Sequence, residues 1–419
     1  MVLQLGGCGR VGDCRIYFLG RALFVLDGAL SCIHGCLIAR GQISTTFKYS
    51  NDYLETRWAF PTDPALPLST APFNVSGMPG AFGDCAPDRW GRNLVIKQHR
   101  RLVAAGDVRD RRLTEVDICS VSAIQPDREL SGSGDQPPGT TWQQGHAYRR
   151  RELQQAADEA ADGSGTAIKR LLEPGTGSLG GARPKASVSG DDGRLLIAKF
   201  SRPSDEWSVI LWESVALEPA RRAGITVPDT QLLRMEDRPV LLLDGFDRDG
   251  RQRIGYISAM TAADRHDGEA ADCVDVIEAI EDTSRQRRCD CRQLFRSIAL
   301  STIVHNTDDH LRNHGFLRTD AGWELSPAFD INPEPDIAVD RQAAINGVTE
   351  AEHEAEALLE LAALCHLTDS ESRTILSEVV EAVGQWRACA VSLSVPAAEL
   401  ESVGGVIDKQ LERIRAALG

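Results

Sequence analysis

The stretch from Cys291 to Asp330 constrains this chain more than any other. Apolar residues at Leu294, Phe295, Ile298, Ala299 and Ile303 recur at helical spacing, so Cys291–Val304 is expected to form a helix with one buried face. It runs straight into Asn306-Thr307-Asp308-Asp309-His310-Leu311-Arg312-Asn313. Phe316-Leu317, a turn at Thr319-Asp320-Ala321-Gly322, and Trp323-Glu324-Leu325 then read as a hairpin, followed by Ser326-Pro327-Ala328-Phe329-Asp330. Asn313 stands five residues after Asp308, and Asp330 stands 22 after it. Oxygen-bearing side chains at the ends of rigid elements suit magnesium, which takes few protein ligands and keeps several waters.

The remaining pattern gives a strand-rich first half and a helix-rich second half. Short apolar runs broken by Gly and Asp between Ile16 and Tyr53 read as antiparallel strands. Residues 1–15 lack periodicity and are expected to be a loose leader. Residues 60–75 are proline-containing and extended, and Pro87-Asp88-Arg89-Trp90 opens a helix. Residues 126–146 are rich in Gly, Pro, Ser and Asp and read as a linker or loop. A helix is expected over Tyr148–Leu172, strands at 186–188 and Leu195–Phe200, and a helix over Glu206–Ala223 ending at Gly224. Beyond about residue 265, helices are expected at Val274–Ile280, Cys291–Val304, Glu350–Leu364, Asp369–Val383 and Ala398–Leu418. The expected fold class is α+β and two-lobed. Its parts are a leader (1–15), a small N-terminal β subdomain (16–125), the linker (126–146), the rest of a strand-rich lobe (147–247) and a helical lobe (248–419).

Composition excludes several function classes. The chain carries 61 acidic against 46 basic residues, a net charge of −15, which argues against gripping phosphate backbones alone. No run of about 18 uncharged apolar residues predicts a membrane span, so cytoplasmic residence is expected. Eleven cysteines form no CxxC pair and stand at no zinc-ribbon spacing, so they are expected to be reduced thiols.

Several further residues carry chemistry in the same order. Gly175-Thr176-Gly177-Ser178-Leu179-Gly180 fits G-x-G-x-x-G, but a helical stretch precedes it and strands follow, so a dinucleotide-binding βαβ unit is excluded. Leading into a strand, such a loop either covers phosphates or is plain surface. Lys199 ends the strand Leu195-Leu196-Ile197-Ala198-Lys199 and stands where a lysine can pair nucleotide α/β-phosphates. Glu213 on the next helix is its ion-pair candidate, with Glu218 as rival. Leu241-Leu242-Leu243-Asp244-Gly245-Phe246 is an apolar strand turning polar, and backbone groups of 244–246 are candidates for reading adenine. A carboxylate to take a hydroxyl proton, an amide and a second carboxylate for magnesium complete the inventory of phosphoryl transfer. Asp308 rather than Asp309 has the five-residue offset to Asn313 and is assigned the base. Two adjacent carboxylates are expected to raise at least one pKa. His310 either orients the loop or is a core-edge histidine.

The set resembles a HipA-type serine/threonine kinase, the toxin component of bacterial toxin–antitoxin pairs. The resemblance rests on Ser178-Leu-Gly-Gly-Ala-Arg-Pro-Lys185, Ala198-Lys199-Phe200, Phe246-Asp247-Arg248, Asn306-x-Asp308-x-His310-x-x-Asn313 and Ser326-Pro-Ala-Phe-Asp330. Phe47-Lys48-Tyr49, Tyr53-Leu54 and Pro87-Asp88-Arg89-Trp90-Gly91-Arg92 resemble the family's small first domain. The resemblance implies ATP and Mg²⁺, with Lys199, Lys185, Gly177, Gly180, His310 and Asp244-Gly245-Phe246 on ATP. It implies Asp308 as base, Asn313 and Asp330 on magnesium, and Ser178 as a self-phosphorylation site, with Thr176 the alternative. It implies a protein substrate such as an aminoacyl-tRNA synthetase. It further implies a HipB-like helix-turn-helix antitoxin through which alone DNA is reached. The competing readings are a catalytically weak kinase-fold module that binds nucleotide and antitoxin, and a DNA-binding regulator in its own right.

Overall fold

The computed structural model describes most of residues 2–118, then 183–189, 194–235, 238–249 and 252–419. The linker 126–146, the expected helix 148–172 and the Gly-rich residues 175–181 lie outside the described residues, and with them Thr176, Gly177, Ser178 and Gly180. The chain packs into two compact units, Met1–Pro203 with Gly250–Arg253, and Ser204–Asp249 with Ile254–Gly419. The boundary expected near residue 247 lies within the span of the second unit.

The first unit holds a seven-stranded antiparallel sheet. Its strands are Val2–Leu3 (β1), Cys8–Val11 (β2), Cys14–Tyr17 (β3), Ala22–Leu26 (β4), Ala29–Ala39 (β5), Gln42–Lys48 (β6) and Phe73–Ser76 (β7). The leader expected to be loose is instead paired: Val11 faces Cys14, and β3 continues onto β5 from Arg15↔Ile38 to Tyr17↔Cys36. Gly12-Asp13, between β2 and β3, is a two-residue hairpin signal that the lack of apolar alternation masked. Below β6 and β7, Phe47, Tyr49, Tyr53, Leu66 and Phe82 form a buried cluster. The tyrosines satisfy their hydroxyls on carbonyls, Tyr49 on Leu66 at 2.6 Å and Tyr53 on Phe60 at 2.8 Å, so their burial leaves no orphaned donor. Arg89–Ala105 is a helix (α1), and Lys185–Ser189 (β8) pairs antiparallel with Leu195–Phe200 (β9).

The second unit is mainly helical. Val209–Arg222 (α2) precedes the hairpin Thr230–Met235 (β10) and Arg238–Asp244 (β11). Then come Cys273–Thr283 (α3), Arg287–Ile303 (α4), Glu354–Leu364 (α5), Asp369–Val383 (α6), Trp386–Ser392 (α7) and Ala397–Leu418 (α8). Helix α4 begins four residues earlier than expected, and all five periodic positions, 294, 295, 298, 299 and 303, are fully buried. Thr368 and Glu371 form a capping box that starts α6 where the sequence places it. The helix α7 was not expected from the sequence; its Trp386 packs so closely on Gly404 of α8 that a Cβ there would lie 2.0 Å from the indole. Helix α2 is tied to α8 by Trp212 and Ser208, whose side chains donate to Glu399 at 2.9 Å each. Tyr256–Ser258 (β12), Gly315–Thr319 (β13) and Gly322–Leu325 (β14) make a three-stranded sheet, so the expected hairpin is present with Phe316 opposite Leu325. No described helix is long and apolar enough to cross a membrane.

Candidate active site

Helix α4 ends because His305 adopts a left-handed backbone (φ 54°), which turns the chain away from the buried face. The turn is pinned on both sides: the Asn306 amide N–H donates to Ser301 O at 2.8 Å, and its side-chain oxygen accepts from the Asn332 N–H at 3.3 Å. The loop is thereby fastened to the segment after Asp330. Asp308 is exposed at its crest. Asn313, at the end of a short 3₁₀ turn and 8% exposed, donates its side-chain amide to Asp308 O at 2.8 Å, and its backbone N–H goes to His310 O at 2.8 Å. The amide nitrogen is thus committed within the loop, and the amide oxygen is the other polar end of this side chain.

Asp309 is the opposite of Asp308. It is 5% exposed and accepts from Ser301 at 2.6 Å, Arg341 at 3.2 Å and His314 at 3.0 Å. Burial alone would push its carboxyl up, yet His314, Arg341 and Ser301 together hold it well below the usual carboxylate range. The rise expected from adjacent carboxylates is thus not found at Asp309, where the interactions with His314, Arg341 and Ser301 outweigh burial. Arg341 in turn bonds Glu354 at 3.0 Å and Ala343 O at 2.8 Å, and Gln410 of α8 donates to Glu354 at 2.9 Å. This buried chain fixes the underside of the loop.

Asp330 also adopts a left-handed backbone (φ 60°), an arrangement that costs a non-glycine residue about 1 kcal/mol and recurs at functional sites. Asn332 reaches back to it, donating to Asp330 O at 3.2 Å and Oδ1 at 3.3 Å, while its own amide oxygen is buried without a hydrogen-bond partner. Phe329 packs on Phe246 with ring centroids 5.5 Å apart, and Phe246 lies 6.3 Å from Tyr256. The structure therefore brings the 244–246 segment beside the Asp330 loop. Of the backbone groups expected to read a base, the Asp244 N–H is already engaged, by Asp229 O at 2.9 Å.

The two glutamates proposed for the ion pair separate cleanly. Glu213 is 1% exposed, whereas Glu218 stands at the surface in pairs with Arg222 at 3.0 Å and Arg221 at 3.8 Å. A carboxylate as buried as Glu213 calls for a partner. In the first unit, Lys185 and Lys199 face each other across β8 and β9, 5% and 6% exposed. Directly opposite in an antiparallel pair, the two side chains share one face of the sheet. His310 lies at the loop crest with its Nδ1 buried and unpartnered.

No cluster of three or more His, Cys, Asp or Glu suited to a metal occurs among the described residues. Magnesium held with substrate phosphates asks for less, and the Asn313 amide oxygen, the Asp330 carboxylate and the unpartnered Asn332 oxygen are all hard donors that fit it. Sequence reasoning missed Asn332, His314, Arg341, Gln342, Glu354 and Gln410. Only Asn332, two residues past Asp330, carried a local signal.

A buried helix delivering Asp308 and Asn313, a hairpin, and a left-handed Asp330 on a two-unit α+β chain define a protein-kinase-like fold. Residues 177–387 match the HipA-like C-terminal domain, and the chain belongs to that family. The HipA chain of a Shewanella oneidensis MR-1 toxin–antitoxin complex of HipA, HipB and operator DNA has the same fold, with TM-score 0.58 at 14% identity over 94% of this chain and 96% of that one. The proinflammatory kinase CtkA of Helicobacter pylori gives a TM-score of 0.45 at 14% identity, over 57% of this chain and 93% of that one. No curated protein matches the sequence.

Proposed function

We propose that this chain is an ATP- and Mg²⁺-dependent protein kinase of HipA type that transfers the γ-phosphoryl group to a serine or threonine hydroxyl. The observation that carries this reading is the split between adjacent aspartates. Asp309 is buried and spoken for, while Asp308 is exposed on a loop whose Asn313 oxygen and nearby Asp330 suit magnesium. In the proposed reaction the acceptor hydroxyl gives its proton to the Asp308 carboxylate as its oxygen bonds to the γ-phosphorus. The bond from that phosphorus to the β-γ bridging oxygen breaks, and its electron pair leaves with ADP. Asn313 and Asp330 would hold the magnesium, which when bound neutralises charge on the phosphates. Lys199, with Lys185 opposite it, would pair the phosphates, and Glu213 would hold Lys199 in place. Phe246 and its neighbours Asp244 and Gly245 would bound the base.

The same reading extends to regulation and partners. Ser178, or alternatively Thr176, would be the self-phosphorylation site: about two negative charges on a loop that covers phosphates would repel ATP. The substrate would be a protein of the translation machinery such as an aminoacyl-tRNA synthetase, and phosphorylating it would arrest growth. A HipB-like helix-turn-helix antitoxin would supply the basic surface that a chain of net charge −15 lacks, and DNA would be reached only through it. Family membership and the HipA–HipB–DNA composition of the Shewanella assembly support this part of the reading.

The test is incubation of the purified chain and a cell lysate with radiolabelled ATP and Mg²⁺, beside Asp308→Asn. Label on the chain or a lysate protein in the wild type only is the expected result, with intact mass and peptide mapping placing self-label on Ser178. Equal behaviour of the two proteins would refute it. Nucleotide binding without turnover would favour the binding-module alternative.

A further inference from the structure

We infer that Gln342 is a positioning residue for Asp308, an inference that rests on reading Asp308 as the base. The side-chain amide of Gln342 donates to Asp308 Oδ1 at 2.5 Å, and its backbone N–H donates to Thr307 O at 2.9 Å. Its neighbour Arg341 grips Asp309. Two consecutive residues of the 341–342 segment thus hold two consecutive aspartates, the buried with the buried and the exposed with the exposed. Gln342 forms a bend immediately before the strand Ala343–Ala344, with Arg341 buried and Gln342 exposed.

Gln342 is exposed, yet it stands on a stiff mount. Arg341 inserts into the buried network of Ser301, Asp309 and Glu354. Ala343–Ala344 pairs in parallel with Ala271–Asp272. The Asp272 carboxylate then accepts the backbone N–H groups of Asn346 at 3.0 Å and Gly347 at 2.6 Å. The segment is therefore fastened through its interior on one side and by a strand and a capping carboxylate on the other. This mount fixes the backbone from which Gln342 reaches Asp308, so its amide holds the Asp308 carboxylate from a rigid base.

That hold matters because a base acts only within hydrogen-bond reach of the proton it removes. A side-chain NH₂ only donates, so it holds one carboxylate oxygen without competing for the acceptor's proton. A surface hydrogen bond between residues 34 apart in sequence contributes little to folding. Its effect belongs on the chemical step.

The experiment compares the full chain with Gln342→Ala, Gln342→Glu and Asp308→Asn. Readouts are transfer of label from radiolabelled ATP to the chain itself and to dephosphorylated casein, the KM for ATP, and the melting temperature. The transfer rate constant should fall about tenfold in Gln342→Ala, the scale of one lost hydrogen bond, and further in Gln342→Glu, where a carboxylate faces a carboxylate. The KM for ATP and the melting temperature should stay at the wild-type values. An active wild type matched by Gln342→Ala would overturn the inference alone. So would a loss tracking an equal fall in ATP affinity or melting temperature, the signature of a merely structural role. A wild type as inactive as Asp308→Asn would overturn the kinase reading, and the inference with it.

Discussion

Replacing Arg341 by alanine should be among the most damaging single changes in the second unit. Its side chain is 1% exposed and compensates two carboxylates, Asp309 at 3.2 Å and Glu354 at 3.0 Å, that are likewise buried. Without it both charges remain in a poorly solvated interior, supported only by His314, Ser301 and Gln410. Breaking a buried ion pair by removing one partner costs roughly 3–5 kcal/mol. For a unit of this size each kcal/mol lowers the melting temperature by about 2–4 °C, so a fall of roughly 10 °C is expected. Tryptophan fluorescence reports it, since Trp212 and Trp386 are buried together in this unit with ring centroids 5.7 Å apart. The pH dependence supplies a second arm. The Asp309 carboxyl titrates lower folded than unfolded, so its stabilisation is complete above the ordinary carboxylate value near about 4 and is lost as pH falls below it. In Arg341→Ala that acid-dependent loss should shrink, because a folded carboxyl no longer held down by Arg341 differs less from its unfolded value. Asp308→Asn, at an exposed position, should leave the melting temperature within about 2 °C. Combining Arg341→Met with Asp309→Asn and Glu354→Gln should restore part of the loss, because no uncompensated charge is left. A shift in Arg341→Ala as small as that of Asp308→Asn would refute the argument.

Three further outcomes are expected. Glu213→Gln should lower phosphotransfer by at least about tenfold, whereas Glu218→Gln, which loses only surface ion pairs, should stay within about twofold in the same radiolabel assay. Timed alkylation at pH 8 with peptide mapping should mark the exposed Cys85 and Cys289 at once and Cys273, Cys291 and Cys365 only on unfolding. Burial pushes all three of those thiols up, Cys291 to about 12. Gly404→Ala should destabilise the α7–α8 contact by about 1–3 kcal/mol, measured by urea titration, because its Cβ must displace the Trp386 ring.

Much of this was legible in the sequence, for identifiable reasons. Helix α4 showed itself because each of its core positions repeats with the helical period, and α6 because Thr368 and Glu371 announce its first turn. The hairpin 315–325 carried its turn residues openly. The leader strands were missed because β2 and β3 lack alternation and take their stability from partners, β3 from residues as distant as Ile38. At the site, the local offsets among Asp308, Asn313 and Asp330 could be read, since they lie within one loop and one hairpin. Arg341, Glu354 and Gln410 could not, because their common network spans residues 301 to 410 and leaves no spacing signature.

The two aspartates show how a fold assigns different work to identical neighbours. By spacing alone, Asp308 and Asp309 differ only in which one stands five residues before Asn313. The structure adds a physical distinction: the loop turns one carboxylate inward, where Ser301, His314 and Arg341 consume its lone pairs, and the other outward beside Gln342. An inward carboxylate held well below its usual range is a poor proton acceptor, so Asp309 is unsuited to be a base however close it lies to the substrate. It serves instead as the anchor by which the C-terminal helix, through Gln410, Glu354 and Arg341, holds the loop. The same helix holds α2, the element bearing Glu213, through Glu399. One helix at the end of the chain therefore braces both the proposed base and the proposed lysine-pairing glutamate. Damage to Gln410 should act on the first and damage to Glu399 on the second.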